Sequence, residues 1–154
     1  MTTTPGTDQA ATLSEEDNRE PHLAHGLVAG AVLRAARQSA GLSGSELAAA
    51  VSLTDTLIHS WETGAEPLAS VPVPHIDKLK SALRTAGAQA RLVDDLDPAA
   101  WCDLVLEATL AREDASCPLA DPLASDPAFS ELLTWAITGN PPARYTRYAD
   151  AGRE

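Results

Sequence analysis

The stretch Thr54-Asp-Thr-Leu-Ile-His-Ser-Trp-Glu-Thr-Gly64, "TDTLIHSWETG", has the layout of one short, isolated helix. Thr54 offers a hydroxyl at the start, where a side-chain oxygen can cap free backbone N–H groups. Ile58 and Trp61 stand about one turn apart on one face. Gly64 supplies the left-handed exit that ends a helix. The opposite face would carry Asp55, Thr56, His59 and Ser60, with no Arg, Lys, Gln or Asn among them.

Working back from Thr54, Ser43 caps "GSELAAAV", and Glu46 completes a Ser-x-x-Glu capping box. "SL" leaves only a short turn between these two helices. Before Gly41, "LVAGAVLRAARQSAG" repeats apolar residues at 28, 32, 35 and 36 with helical spacing. Downstream, "AEPLASVPVP" is interrupted by proline and reads as a loop. Pro74 suits the first turn of a helix, and "HIDKLKSALRTAG" follows with Ile76, Leu79, Ala82 and Leu83 on one face.

Two Asp-Pro pairs, at 97–98 and 126–127, each predict a helix start. The first helix has a stripe of Trp101, Leu104, Val105 and Ala108; the second has Phe129, Leu132, Leu133 and Ala136, closed by Gly139. Trp101 and Trp135 are expected in a core or a dimer interface. No alternating strand pattern occurs, so the chain is expected to be all-α. Residues 1–22 are Thr-, Gly- and acid-rich without helical period and are expected to be a disordered arm.

The chain of 154 residues suits one core with a small appendage. Its net charge of −11 is unevenly spread. Residues 1–25 carry five acids and one base, residues 26–91 six bases and five acids, and residues 92–154 four bases and twelve acids. Only the middle segment would not repel a polyanion. No apolar run is long enough to span a bilayer, and the N-terminal stretch lacks the pattern of a signal peptide. Cys102 and Cys117 have no metal-ligand spacing, which predicts free thiols in a reducing cytoplasm. His22 and His25 lack a third ligand, so no metal and no cofactor is expected. Without a nucleophile elbow or a phosphate loop, no enzyme is expected either.

Two short helices joined by a tight turn and flanked by longer ones form a helix-turn-helix arrangement. "LRAARQSAGLSGSELAAAVSLTDTLIHSWETG" resembles the Cro and phage-repressor-type (XRE) helix-turn-helix. The likeness rests on Leu33, Arg34, Arg37, Gly41, Leu42, Ser43, Glu46, Leu47, Ala48, Ile58, Trp61, Glu62 and Gly64. "TWAITGNPPARYTRYA" further resembles the C-terminal ends of actinobacterial regulators of this type; its simpler reading is a Tyr-anchored turn packing back on the domain. The resemblance implies a lambda-repressor-like helix-turn-helix domain over residues 24–90. Residues 97–154 then form a C-terminal helical extension for dimerisation or partner binding.

It implies, further, a DNA-binding transcriptional regulator acting as a homodimer on double-stranded DNA, with an Arg37–Glu62 ion pair in the fold. Ser43, Gly44 and Ser45 would offer a phosphate the first turn of a helix. Thr54, Asp55, Thr56, His59 and Ser60 would face bases, with Arg34 at the backbone. Two departures weaken that grip: Gly44 stands where relatives often have Gln, and "AEPLASVPVPH" has no Lys or Arg. A relative acting by protein contact, as an antirepressor or heterodimer partner through its acidic C-terminal region, is the alternative.

Overall fold

The computed structural model describes residues 26–110 and 125–149. These form α1 (Leu27–Ser39), α2 (Gly44–Val51), α3 (Asp55–Thr63), a 3-10 turn (Leu68–Ser70), α4 (Val73–Thr85), α5 (Ala90–Asp94), α6 (Leu96–Leu110), α7 (Pro127–Thr138) and α8 (Thr146–Ala149). The fold is all-α, without strands among the described residues. The expected arm at 1–22, the His22/His25 pair and Cys117 lie outside the described residues.

The local signals act as their chemistry dictates. Ser43 and Glu46 close a full capping box, and the Thr54 hydroxyl accepts from the Leu57 N–H at 3.3 Å. Gly64 exits α3 at φ 76°. Asp126 accepts from the Ala128 N–H at 2.9 Å, capping α7 ahead of Pro127. The turn between α2 and α3 runs through Ser52 at φ 59°, a left-handed conformation that a side chain disfavours.

Three expectations need correction. The proline loop contains a 3-10 turn, because Leu68 buries itself in the core and tightens the backbone around it. A short helix, α5, fills the expected gap and buries Leu92 and Val93. Asp97 does not open α6, which starts at Leu96; its carboxylate lies 2.5 Å from Lys80 Nζ on α4. The inward face of α6 is also rotated from the predicted stripe. Ala99, Cys102, Asp103 and Val105 are buried, whereas Trp101 and Leu104 are 44% and 48% exposed.

Helix α1 is the hub, packing against α3, α5, α6 and α8. Gly30 lets it approach α3 closely, since a Cβ there would stand 2.5 Å from the Trp61 carbonyl oxygen. At its N-terminus α1 has no cap of its own, because Gly26 offers no side chain. Asp103 of α6 supplies one from a distance. Its two carboxylate oxygens accept from the Val28 N–H at 3.0 Å and the Ala29 N–H at 2.9 Å. Helices α6 and α7 pack together, joined by Phe129 and Leu132 in the same core.

A second clasp holds the C-terminal turn. Asp95, which is buried, accepts from Arg144 Nε at 2.7 Å and from the Tyr145 hydroxyl at 2.6 Å. Arg144 also pairs with Glu131, and Trp135 stacks on the fully buried Tyr145 ring at 5.0 Å. Burial and the adjacent Asp95 charge push the Tyr145 phenol well above its usual range, so it remains a donor.

Two outcomes are expected of this joint and this turn. Ser52→Gly relieves the left-handed strain and raises unfolding free energy by about 1 kcal/mol in denaturant titration. Burial pushes the Asp103 carboxyl from 3.8 up to about 6, against the two backbone N–H groups that lower it. The folded state thus holds the proton more tightly than the unfolded chain. Asp103 contributes most below about pH 4, and on the order of 3 kcal/mol of this is lost as pH rises through 6. Stability of the wild type relative to Asp103→Asn, followed by denaturation across that range, should fall and then level off.

Candidate nucleic-acid interface

Two short helices present the candidate surface, and a buried ion pair sets their angle. Glu62, at the end of α3, is buried, with its side chain 5% exposed. Arg37 of α1 meets it through Nε at 2.5 Å to Oε1 and Nη2 at 2.9 Å to Oε2. The remaining Arg37 nitrogen, Nη1, donates to the Leu42 carbonyl at 2.8 Å, just before α2. One guanidinium therefore ties α1, the approach to α2 and the end of α3. The Glu62 hydrogen bond raises the Arg37 pKa against the opposing effect of burial, and the Glu62 and Asp55 charges add to it. Arg34 Nε lies 3.9 Å from Glu62 Oε2.

Outside this pin, the packed face of α3 consists of Ile58 and Trp61. Thr54, Asp55, Thr56 and His59 are exposed and Ser60 is half-buried. Thus α3 turns outward the residues that its period assigned to that side. At the head of α2, Ser43 and Ser45 are exposed and Gly44 is half-buried. The Ser43 N–H, however, donates to the Glu46 carboxylate at 2.7 Å, and that bond lowers the Glu46 pKa. Only the Gly44 and Ser45 N–H groups of the expected trio are left to face an anion, with a carboxylate beside them.

Three of the six cations between residues 26 and 91 are committed elsewhere. Arg37 serves Glu62, Lys80 pairs with Asp97, and Arg84 pairs with Asp94 at 2.8 Å. Exposed Glu46, Asp55 and Glu66 surround the two short helices. The capping box places Glu46 at the head of α2, but sequence reasoning counts neither Glu46 nor Glu66 among the groups that face a ligand.

The domain itself is recognised by comparison. Residues 28–96 match the family model of a helix-turn-helix domain. The match ends where α6 begins, so it takes in α5 and the anchoring turn as well as the two short helices. No curated protein and no solved structure matches the chain. The chain thus has a helix-turn-helix domain with further helices packed on it, and no described helix is long and apolar enough to cross a membrane.

Other chemistry among the described residues centres on one thiol. The Cys102 thiol is buried and donates to the Phe129 carbonyl at 3.5 Å. Burial, with the charges of Asp103 and Asp126, pushes it up to about 12, so it is a poor nucleophile. Among the described residues no three His, Cys, Asp or Glu side chains gather into a metal-binding group.

Removing Arg37 strands a buried carboxylate. Arg37→Ala is expected to cost about 3–5 kcal/mol, whereas Arg37→Ala with Glu62→Leu recovers part of that loss. Chemical denaturation of the single and double variants checks it.

Proposed function

We propose that this protein is a DNA-binding transcriptional regulator of the phage-repressor type, which lays α3 in the major groove and binds its operator as a homodimer. The observation that carries the reading is the bare outer face of α3 in a matched helix-turn-helix domain, held in place by the Arg37–Glu62 pin. Thr56 can touch a thymine methyl, and His59 can donate to guanine. Thr54 and Ser60 hydroxyls can reach bases or phosphates. Gly44 and Ser45 offer backbone N–H groups to one phosphate, and Arg34, its side chain 37% exposed, offers a guanidinium.

Affinity is modest in this reading. About two or three phosphate contacts per subunit give a salt slope of about −2 to −3 per monomer. A two-fold dimer doubles the contacts and spaces two reading helices about one helical turn of DNA apart. Exposed Glu46, Asp55 and Glu66, together with the neutralised Lys80 and Arg84, support a second reading. There the scaffold acts by protein contact, as an antirepressor or heterodimer partner.

Selection from random duplexes, followed by salt titration of the enriched site, separates the two. The regulator enriches a motif that Thr56→Ala or His59→Ala alters, and Arg34→Ala flattens the slope by about one unit. Absence of any enriched motif at low salt would leave the protein-contact reading in its place.

A further inference from the structure

One contact between the two short helices has no counterpart among the folding interactions. The Asp55 carboxylate leans back across the gap between α3 and α2 and rests on Gly44. Its Oδ1 lies 2.6 Å from the point that a Cβ on Gly44 would occupy. Any side chain at position 44 would displace it. Gly44 is helical and opens α2, where an alanine would be the better helix former, so its bareness serves the neighbour rather than the backbone. The consequence is electrostatic. The first turn of α2 is flanked by two carboxylates, Glu46 on the Ser43 N–H and Asp55 over Gly44.

We propose that Asp55, seated on the bare Cα of Gly44, is the specificity-determining residue of this surface: it repels the phosphate backbone of unselected DNA and accepts a hydrogen bond from a cytosine amino group in the correct site. This inference rests on the regulator reading above. A carboxylate has only acceptors, so among base edges in the major groove it can bond to the amino groups of cytosine N4 and adenine N6. Cytosine is favoured because its edge presents the donor without the adjacent N7 acceptor of adenine, which would face the carboxylate. Opposite guanine or thymine the carboxylate is desolvated without a donor while the phosphates repel it. Gly44 is a positioning residue, fixing the direction in which the carboxylate points.

Three proteins test this: the wild type, Asp55→Asn and Gly44→Ala. Asp55→Asn is nearly isosteric at an exposed position. In Gly44→Ala the new Cβ meets only the end of a flexible side chain, so both variants should keep the helical circular dichroism of the wild type and melt no lower than it. Binding to a short duplex of scrambled sequence is measured at low salt, and each protein is taken through random-duplex selection. Asp55→Asn should bind the scrambled duplex about fivefold more tightly, the equivalent of one unit charge near a phosphate in water. It should also lose the cytosine in its selected motif. Gly44→Ala keeps the charge but displaces the carboxylate from its seat, so the cytosine preference in its selected motif should blur. Equal scrambled-duplex affinity and an unchanged motif for Asp55→Asn would overturn the assignment. If none of the three proteins retains any duplex, it is the regulator reading that fails, and this inference falls with it.

Discussion

The Arg37 guanidinium is the piece on which the orientation of the two short helices depends. Its three nitrogens satisfy both oxygens of Glu62 and the carbonyl of Leu42, so α1, α2 and α3 are tied through one rigid fork. A lysine would hold one of these partners and leave the others short. Because Glu62 is buried, the arrangement is all or nothing: a tilt of α3 that broke the pair would leave a charge in the core.

The same device recurs at two other points. Glu62, Asp95 and Asp103 are the buried acids of the described chain, and each joins parts distant in sequence. Asp103 caps α1 from α6, and Asp95 clasps Arg144 and Tyr145. Each is answered by different donors, respectively a guanidinium, a guanidinium with a phenol, and two backbone N–H groups. The helices beyond residue 96 are therefore structural parts of the domain and not a loose appendage. They complete its first helix and close its core.

Such economy has a consequence for the outer surface. Cations that might have faced a polyanion are drawn into structural pairs, on Glu62, Asp97 and Asp94. What remains around α3 is a set of hydroxyls, one imidazole, carboxylates and the partly exposed Arg34 guanidinium. A surface of that kind gains little from nonspecific attraction, and any discrimination it makes must come from hydrogen-bond complementarity and from subunit pairing.

Helix identity, caps and the outward face of α3 were legible in the sequence, because they depend on neighbours within one turn: Ser43 with Glu46, Thr54 with Leu57, the spacing of Ile58 and Trp61. Arg37 and Glu62 could be named from the family pattern, although not their bidentate geometry. The sequence by itself thus determined an all-α chain with two short capped helices and an acidic second half. Only the tertiary structure decided which face of α6 turned inward, that Asp103 would cap a helix 74 and 75 residues away, and that Asp55 would settle on Gly44. These depend on through-space partners, and a periodic pattern records which side of a helix is apolar but not which distant carboxylate its open end will find.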